Sequence, residues 1–238
     1  EPDGAAIISV TSQTAGASTV TASISNSTLN QNVTFIADVS TAKIADLVVI
    51  KDGSVADGAM ANTLRVKVTD AFGNALAGQT VSVSADNGAA VAATVITGPD
   101  GTVEITVTSQ TAGISAVAAS INNSTLNQNV TFIPDVSTAK IADLVVIKDG
   151  SVADGSTANT LRVKVTDAFG NALAGQTVSV SADNGAAVAA TVITGPDGTV
   201  EISVTSQTAG ISTVTATINN STLSQNVTFI ADVSTAKI

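Results

Sequence analysis

The sequence predicts an all-β protein assembled from tandem two-layer β-sandwiches, and three observations carry that prediction. The first is alternation: Leu64, Val66 and Val68 interleave with Arg65 and Lys67, as in a strand with one buried and one wet face. The second is composition. The 238 residues are 44% apolar with five Phe, one Met, no Trp and no Tyr, and Val and Thr abound, so the core has to be built in thin β-branched layers. Helix formers such as Leu, Glu, Lys and Arg are scarce. The third is duplication. The stretch from Thr69 to Gly88 returns letter for letter from Thr166 to Gly185.

The duplication has a fixed period. Lys43–Gly53 recurs at Lys140–Gly150, and an offset of 97 residues carries Ile44 to Ile141 and Ile141 to Ile238. Two complete periods therefore run 45–141 and 142–238, and the 44 residues before them match the end of a period: Pro2-Asp-Gly4 aligns with Pro99-Asp-Gly101, and Thr11–Gly16 with Thr108–Gly113. The complete periods differ at eight positions: Ala59/Ser156, Met60/Thr157, Thr106/Ser203, Ala116/Thr213, Ala118/Thr215, Ser120/Thr217, Asn127/Ser224 and Pro134/Ala231. Most are small exchanges that an outward strand position tolerates. Near-identity over this length points to selection for the number of modules.

Within one period, Ile44 to Ile50 supplies a first strand, closed by the turn region Lys51–Gly58. Thr63 to Thr69 is the cleanest strand. The connection Thr69–Gly78 sets Phe72 and Leu76 among Asp70, Gly73, Asn74 and Gly78, so Phe72 and Leu76 are expected to plug one end of the sandwich while the glycines and Asn74 carry the chain between sheets. Gln79 to Ala85 follows with Val81 and Val83 inward, then the Asp86-Asn-Gly88 turn. Val91 to Thr97 is expected as one strand, closed by Gly98-Pro-Asp-Gly101. Thr102 to Thr108, Ile114 to Ile121 and Leu126 to Ile133 complete the set. The expected fold is thus tandem immunoglobulin-like β-sandwich domains of about seven strands each, in an extended rod. A small barrel is the structural alternative. The expected division is 1–38 as the last three strands of a partial module (Ala6–Ser12, Ser18–Ile24 and Asn30–Ile36), 39–135 as a complete module, and 136–238 as a second with the start of the next linker.

Charge and residue types exclude several function classes. A net charge of −10, from nineteen acidic and nine basic residues, opposes binding to a phosphate backbone. The chain has no Cys and no His, which removes thiolate and imidazole metal ligands, thiol nucleophiles and the usual base of serine hydrolases. No disulfide staples the fold. No run of about 18 apolar residues marks a transmembrane helix. Glu1 stands where an initiator Met would, which reads as a piece cut from a longer precursor.

The series Leu64–Val83, then Asn87-Gly88, Gly98–Val107 and Thr111-Ala-Gly113, resembles the bacterial Ig-like group 1 domain. Such domains form the passenger stalks of invasin- and intimin-type adhesins, the inverse autotransporters. The resemblance covers both complete periods, and residues 1–38 are similar to the closing strands of a further copy. It implies cell-surface display with an outer-membrane anchor outside this sequence, tandem modules contacting their neighbours, a role in cell adhesion and virulence, and receptor binding by a tip. The lectin-like tip of such adhesins would bring Cys and aromatic residues, and this chain has almost none.

The candidate sites each have a plainer reading. Asp52, Asp57, Asp70, Asp86, Asp100 and their copies sit in turns, where carboxylates serve either calcium at module junctions, best sought at Asp135–Asp143, or turn backbone. No loop has the dense acidic spacing of a calcium loop, so the plainer reading is preferred and neither catalytic, cofactor nor metal residues are assigned. Thr106, Thr108, Ser109 and Thr111 have no base to activate them and read as strand surface. The sequons Asn32-Val-Thr34, Asn123-Ser-Thr125 and Asn129-Val-Thr131 read as products of composition, and Arg65 and Lys67 as partners for nearby acids. The function expected is a structural spacer that extends a binding tip. The alternative is that modules bind a host or self partner through sheet edges or loops, including self-association through residues 1–38. A third reading, accessory modules of a carbohydrate-active enzyme, is opposed by the lack of Trp and Tyr for stacking on sugars.

Overall fold

A computed structural model describes residues 2–235. The described residues fold as two compact units: residues 2–54, 61–109 and 113–132 form the first, and residues 55–60, 110–112 and 133–235 the second. Among the described residues every regular element is a strand, apart from single 3-10 turns such as Val39–Thr41 and Val136–Thr138.

The first unit opens with a hairpin, β1 (Gly16–Ile24) and β2 (Ser27–Phe35), paired from Gly16↔Phe35 to Ile24↔Ser27. A two-layer sandwich follows. β3 (Lys43–Lys51), β5 (Asn62–Thr69), β7 (Ala90–Val91) and β9 (Thr102–Thr108) make a four-stranded sheet in the order β3-β5-β9-β7. β4 (Ser54–Val55), β6 (Thr80–Ala85), β8 (Thr94–Ile96), β10 (Gly113–Ile121) and β11 (Ser124–Ile133) make a five-stranded sheet in the order β4-β11-β10-β6-β8. The inward positions of both sheets, including Leu64, Val66, Ile105, Val81, Val117, Val130 and Phe132, are buried and form the core.

The second unit repeats the sandwich: β12 (Lys140–Lys148), β14 (Asn159–Thr166), β18 (Thr199–Thr205) and β16 (Ala187–Val188) form one sheet. β13 (Ser151–Val152), β20 (Ser221–Ile230), β19 (Gly210–Ile218), β15 (Thr177–Ala182) and β17 (Thr191–Ile193) form the other. Its core runs from Ile141 and Leu161 to Val227 and Phe229.

Three expectations need correction. Val91 to Thr97 is not one strand: β7 pairs with β9 and β8 with β6, because the chain leaves one sheet for the other between Val91 and Thr94. With the two-residue β4, each complete module has nine strands instead of seven. Among the described residues of the 1–38 segment two strands form, β1 and β2, where three were expected. The strand expected over residues 6–12 does not form, and the reason is pairing: its counterpart β9 is held between β5 and β7, whereas residues 6–12 join no sheet among the described residues.

The two sheets differ in surface chemistry. The strands β3, β5 and β9 carry Lys43, Asp46, Lys51, Arg65, Lys67 and Glu104, with Arg65 opposite Glu104 and Lys67 opposite Asp46 in register. Arg65 and Lys67 therefore face acids, as their sequence pattern predicts. No strand of the five-stranded sheet contains a charged residue, and its outward rows mix Ser, Thr and Asn, as in Ser120–Thr125 and Ser82–Thr94, with Ala and exposed Ile96, Ile114 and Ile133.

Candidate functional site: an aspartate and asparagine clasp

The polar chemistry concentrates in the connection between β5 and β6, where the sequence places Thr69-Asp-Ala-Phe-Gly-Asn74. The turn closes on itself first. Asp70 N donates to Asn74 O at 2.9 Å, Gly73 N donates to Asp70 O at 3.2 Å, and Gly73 takes a φ of 90° that a side chain would resist. This geometry directs backbone N–H groups at the Asp70 carboxylate. Its Oδ1 accepts from Phe72 N and Asn74 N, both at 2.9 Å. Its Oδ2 accepts from Asn74 Nδ2 at 2.8 Å and from Asp38 N at 3.1 Å.

Asp70 is 1% exposed, a place where an ionised carboxylate survives only if its lone pairs are satisfied. Burial pushes its pKa up, but the hydrogen bonds from Asn74, Asp38 and Phe72 outweigh that push and hold it at about 2. The charge is thus kept at neutral pH as the hub of a fold-defining network.

Asn74 faces the other way as well. Its Oδ1 accepts from Ala15 N at 2.9 Å, and its Nδ2 donates to Gln13 O at 2.8 Å besides Asp70. An Asp here would set an oxygen against Gln13 O, so the position requires an amide, which both accepts and donates. Ala71 N adds a bond to Thr41 Oγ1 at 3.0 Å. One turn therefore holds the Gln13–Ala15 segment beside the hairpin and the Asp38–Thr41 linker. Ser12, Ala15, Phe35, Phe72 and Asn74 line a cavity of about 100 Å³ at this place.

The second unit contains the same clasp. Asp167 accepts from Phe169 N, Asn171 N, Asn171 Nδ2 and Asp135 N at 2.8–3.1 Å. Asn171 Oδ1 accepts from Ala112 N at 2.8 Å, its Nδ2 donates to Gln110 O at 2.9 Å, and Ala168 N donates to Thr138 Oγ1 at 3.1 Å. Burial again opposes these bonds, and the pKa of Asp167 lies below the ordinary value.

The expected plug is half right. Leu76 is buried at 2%, but Phe72 is 60% exposed, because the turn projects it away from the core on which Leu76 packs. The other singled-out carboxylates each serve backbone. Asp52 accepts from Thr131 N, Asp57 from Ala59 N and Met60 N, Asp86 from Ala116 N and Asp100 from Thr102 N. At the junction singled out for calcium, Asp135 accepts from Ser137 N and Oγ. Among the described residues no three acidic side chains converge as metal ligands would. Thr106 is exposed on β9 and Thr108 half-buried at its end, but Ser109 is buried and both Ser109 and Thr111 lie beyond the strand, so the strand-surface reading fails for those two. Asn32 accepts from Thr19 Oγ1 across the hairpin, and Asn129 lies opposite Ala116. Gly101 does more than relieve its own turn: a Cβ there would meet Val68 O at 2.7 Å, so the Pro-Asp-Gly turn packs directly on the clasp's supporting strand.

Comparison with known proteins decides the family. The profile of the bacterial Ig-like domain (group 1) matches residues 44–133 and 141–230. The chain belongs to this family. The bacterial Ig-like repeats are 33% identical over 250 residues to the inverse autotransporter adhesin YeeJ of Escherichia coli (strain K12), an alignment spanning 100% of this chain and 11% of that protein. Among solved structures, Yersinia pseudotuberculosis InvD is similar at a TM-score of 0.57 and 19% identity, over 84% of this chain and 62% of that one, a likeness of fold. Invasin, described as a bacterial integrin-binding protein, aligns over 79% of this chain and 39% of that one at 29% identity and a TM-score of 0.40. These are adhesin-type Ig-like repeats. Among the described residues no helix is long and apolar enough to cross a membrane.

Proposed function

We propose that the chain is a stretch of the stalk of a bacterial surface adhesin, a spacer that extends a binding tip from a cell to which another part of the protein anchors it in the outer membrane. Residues 1–38 are the closing part of one repeat, and 39–135 and 136–238 are two more. The observation that carries this reading is the clasp. Both units use a buried network of charge and amide to fix chain segments and linkers, where an enzyme would aim such groups at a substrate cavity. The network joins protein to protein. Receptor contacts are assigned to regions outside these repeats, and no catalytic role is assigned within them.

Small-angle scattering on the chain, and on a version lengthened by one more 97-residue repeat, tests the proposal. A spacer gives a maximum dimension that grows by a constant increment per repeat. A compact particle of unchanged maximum dimension would refute it.

A second reading is favoured by one feature. In the complete module β10 pairs with β6, but the matching edge of β1 has no neighbour among the described residues, and Ile24 and Leu29 are exposed beside it. Strand addition there would let residues 1–38 mediate self-association. Sedimentation that shows one species at all concentrations, unaltered by deleting residues 1–38, would remove this reading.

A further inference from the structure

Each repeat carries both halves of the clasp. The first half is the Asp-Ala-Phe-Gly-Asn turn, which occurs at Asp70–Asn74 and Asp167–Asn171. The second is a Ser-Gln-Thr-Ala-Gly segment, which occurs once more: at Ser12–Gly16, Ser109–Gly113 and Ser206–Gly210. The segment has a preset shape. Ser12 Oγ donates to Thr14 O at 2.9 Å and accepts from Thr14 N at 3.0 Å, and Ser206 makes the same two bonds with Thr208 at the same distances. The closing glycines take φ values of 127°, 122° and 126° at Gly16, Gly113 and Gly210.

In two copies the segment is held. Asn74 binds Gln13 O and Ala15 N, and Asn171 binds Gln110 O and Ala112 N. Ala15 and Ala112 are half-buried there, whereas Ala209 is exposed. The third copy thus presents an acceptor at Gln207 O and a donor at Ala209 N, in a fixed spacing that matches the Nδ2 and Oδ1 of one carboxamide.

We propose that the Ser206–Gly210 segment is a docking surface whose partner is the Asp-x-x-Gly-Asn turn of a further copy of this repeat. The partner's chemistry follows from the two filled copies: a side-chain amide held in orientation by a buried carboxylate, so that its nitrogen meets Gln207 O and its oxygen meets Ala209 N. Two hydrogen bonds cannot hold two separate molecules against the entropy of association, so the surface works when the partner turn is tethered by the chain itself. This inference rests on the stalk reading and deepens it by naming the contacting atoms.

Amide hydrogen exchange tests it at single residues. In the full chain, the amides of Ala15 and Ala112 exchange at least about tenfold more slowly than that of Ala209. Asn171→Ala releases Ala112 and leaves Ala15 protected. When the chain is lengthened by another copy of residues 142–238, Ala209 joins the slow class. Replacing the added copy's counterpart of Asn171 by Ala returns Ala209 to fast exchange while core amides of the added repeat stay protected, which separates loss of the clasp from failure to fold. Fast exchange at Ala209 in the lengthened chain, or unaltered Ala112 in the Asn171→Ala variant, overturns the inference. Scattering on the same lengthened chain reports independently, since a rod with an unprotected Ala209 removes the clasp and keeps the spacer.

Discussion

The hairpin β1–β2 and the hairpin β10–β11 are nearly the same sequence in two surroundings. Gly16–Phe35 and Gly113–Phe132 differ at four positions: Ala17/Ile114, Thr19/Ala116, Thr21/Ala118 and Ser25/Asn122. Their registers are identical over nine pairs. Yet Leu29 is 77% exposed and Leu126 39%, and Val33 and Phe35 are half-buried where Val130 and Phe132 are fully buried. Backbone pairing and turn chemistry are local properties and survive without the second sheet. Burial is not local, because it needs the facing sheet, β3, β5 and β9, to cover the inner face. One hairpin is a fold element and the other contributes to a core.

Truncating the same aromatic in both hairpins separates the two surroundings by the largest effect. Phe132→Ala removes a fully buried ring and is expected to cost about 3–5 kcal/mol in denaturant unfolding of the first complete module. Phe35→Ala, at a half-buried position, is expected to cost about 1 kcal/mol or less. Equal losses would mean that the first hairpin is covered in solution by something the chain supplies elsewhere.

A glycine pair makes the next contrast. Gly4 and Gly101 occupy equivalent positions with φ values of 76° and 74°. A Cβ on Gly4 meets nothing within 4 Å, whereas on Gly101 it meets Val68 O at 2.7 Å and Leu76 N at 3.0 Å. Gly4→Ala therefore carries only the left-handed strain of about 1–2 kcal/mol, localised outside the complete module. Gly101→Ala adds a backbone collision worth about 1–3 kcal/mol more. Melting of the complete module should fall for the second variant and stay put for the first. The reverse order would show that the β5–β6 turn is looser than its hydrogen bonds imply.

These contrasts also show what the sequence made legible. Alternation located β5, β9 and β10 to within a residue or so, because one face of each is buried and period two records that directly. The break between β7 and β8 left no such trace. Ala92-Ala93 is compatible with a continuous strand, and the switch of sheets is decided by partners distant in the chain. Phe72 misled for a related reason. An aromatic within a turn reads as an anchor, but the turn's direction is set by Asp70, and that carboxylate's partners include Asp38, 32 residues away. The role of Asn74 was beyond reading from one repeat, since Ala15 lies 59 residues before it. The signal lay in the pair of spacings: Gln13 precedes Asn74, and Gln110 precedes Asn171, by the same 61 residues.

The clasp predicts a pH dependence of smaller effect. The folded Asp70 carboxyl sits at about 2, below the ordinary value near 3.9 of an unfolded chain. A depressed folded pKa means that its contribution is complete above the unfolded value and is lost as pH falls through the folded one. Protection of Ala15 should therefore be constant from neutral pH to about 4 and decline toward 2. Asp70→Asn should remove that decline and weaken protection at all pH values, because an amide nitrogen would point at N–H donors. Loss of protection already at about pH 6 would assign the clasp to another titrating group.

The finest contrast lies between the two complete repeats. Asp57 and Asp154 are counterparts, and each accepts two backbone N–H groups, from Ala59 and Met60 or from Ser156 and Thr157. Only Asp154 gains a third bond, from Thr157 Oγ1 at 2.7 Å. The Thr157 backbone bond, this hydroxyl and the Ser156 backbone bond lower its pKa to about 2, while that of Asp57 is lowered chiefly by the Met60 and Ala59 backbone bonds. Asp154 is exposed and Asp57 only half-buried, so the difference belongs to titration and leaves global stability almost untouched. Met60→Thr should move the Asp57 titration down to that of Asp154 in an NMR titration of side-chain carboxyls, with unchanged melting. A titration of Asp57 that ignores the new hydroxyl would mean that the β4–β5 turns of the two repeats differ in backbone, despite the shared hydrogen bonds that now equate them.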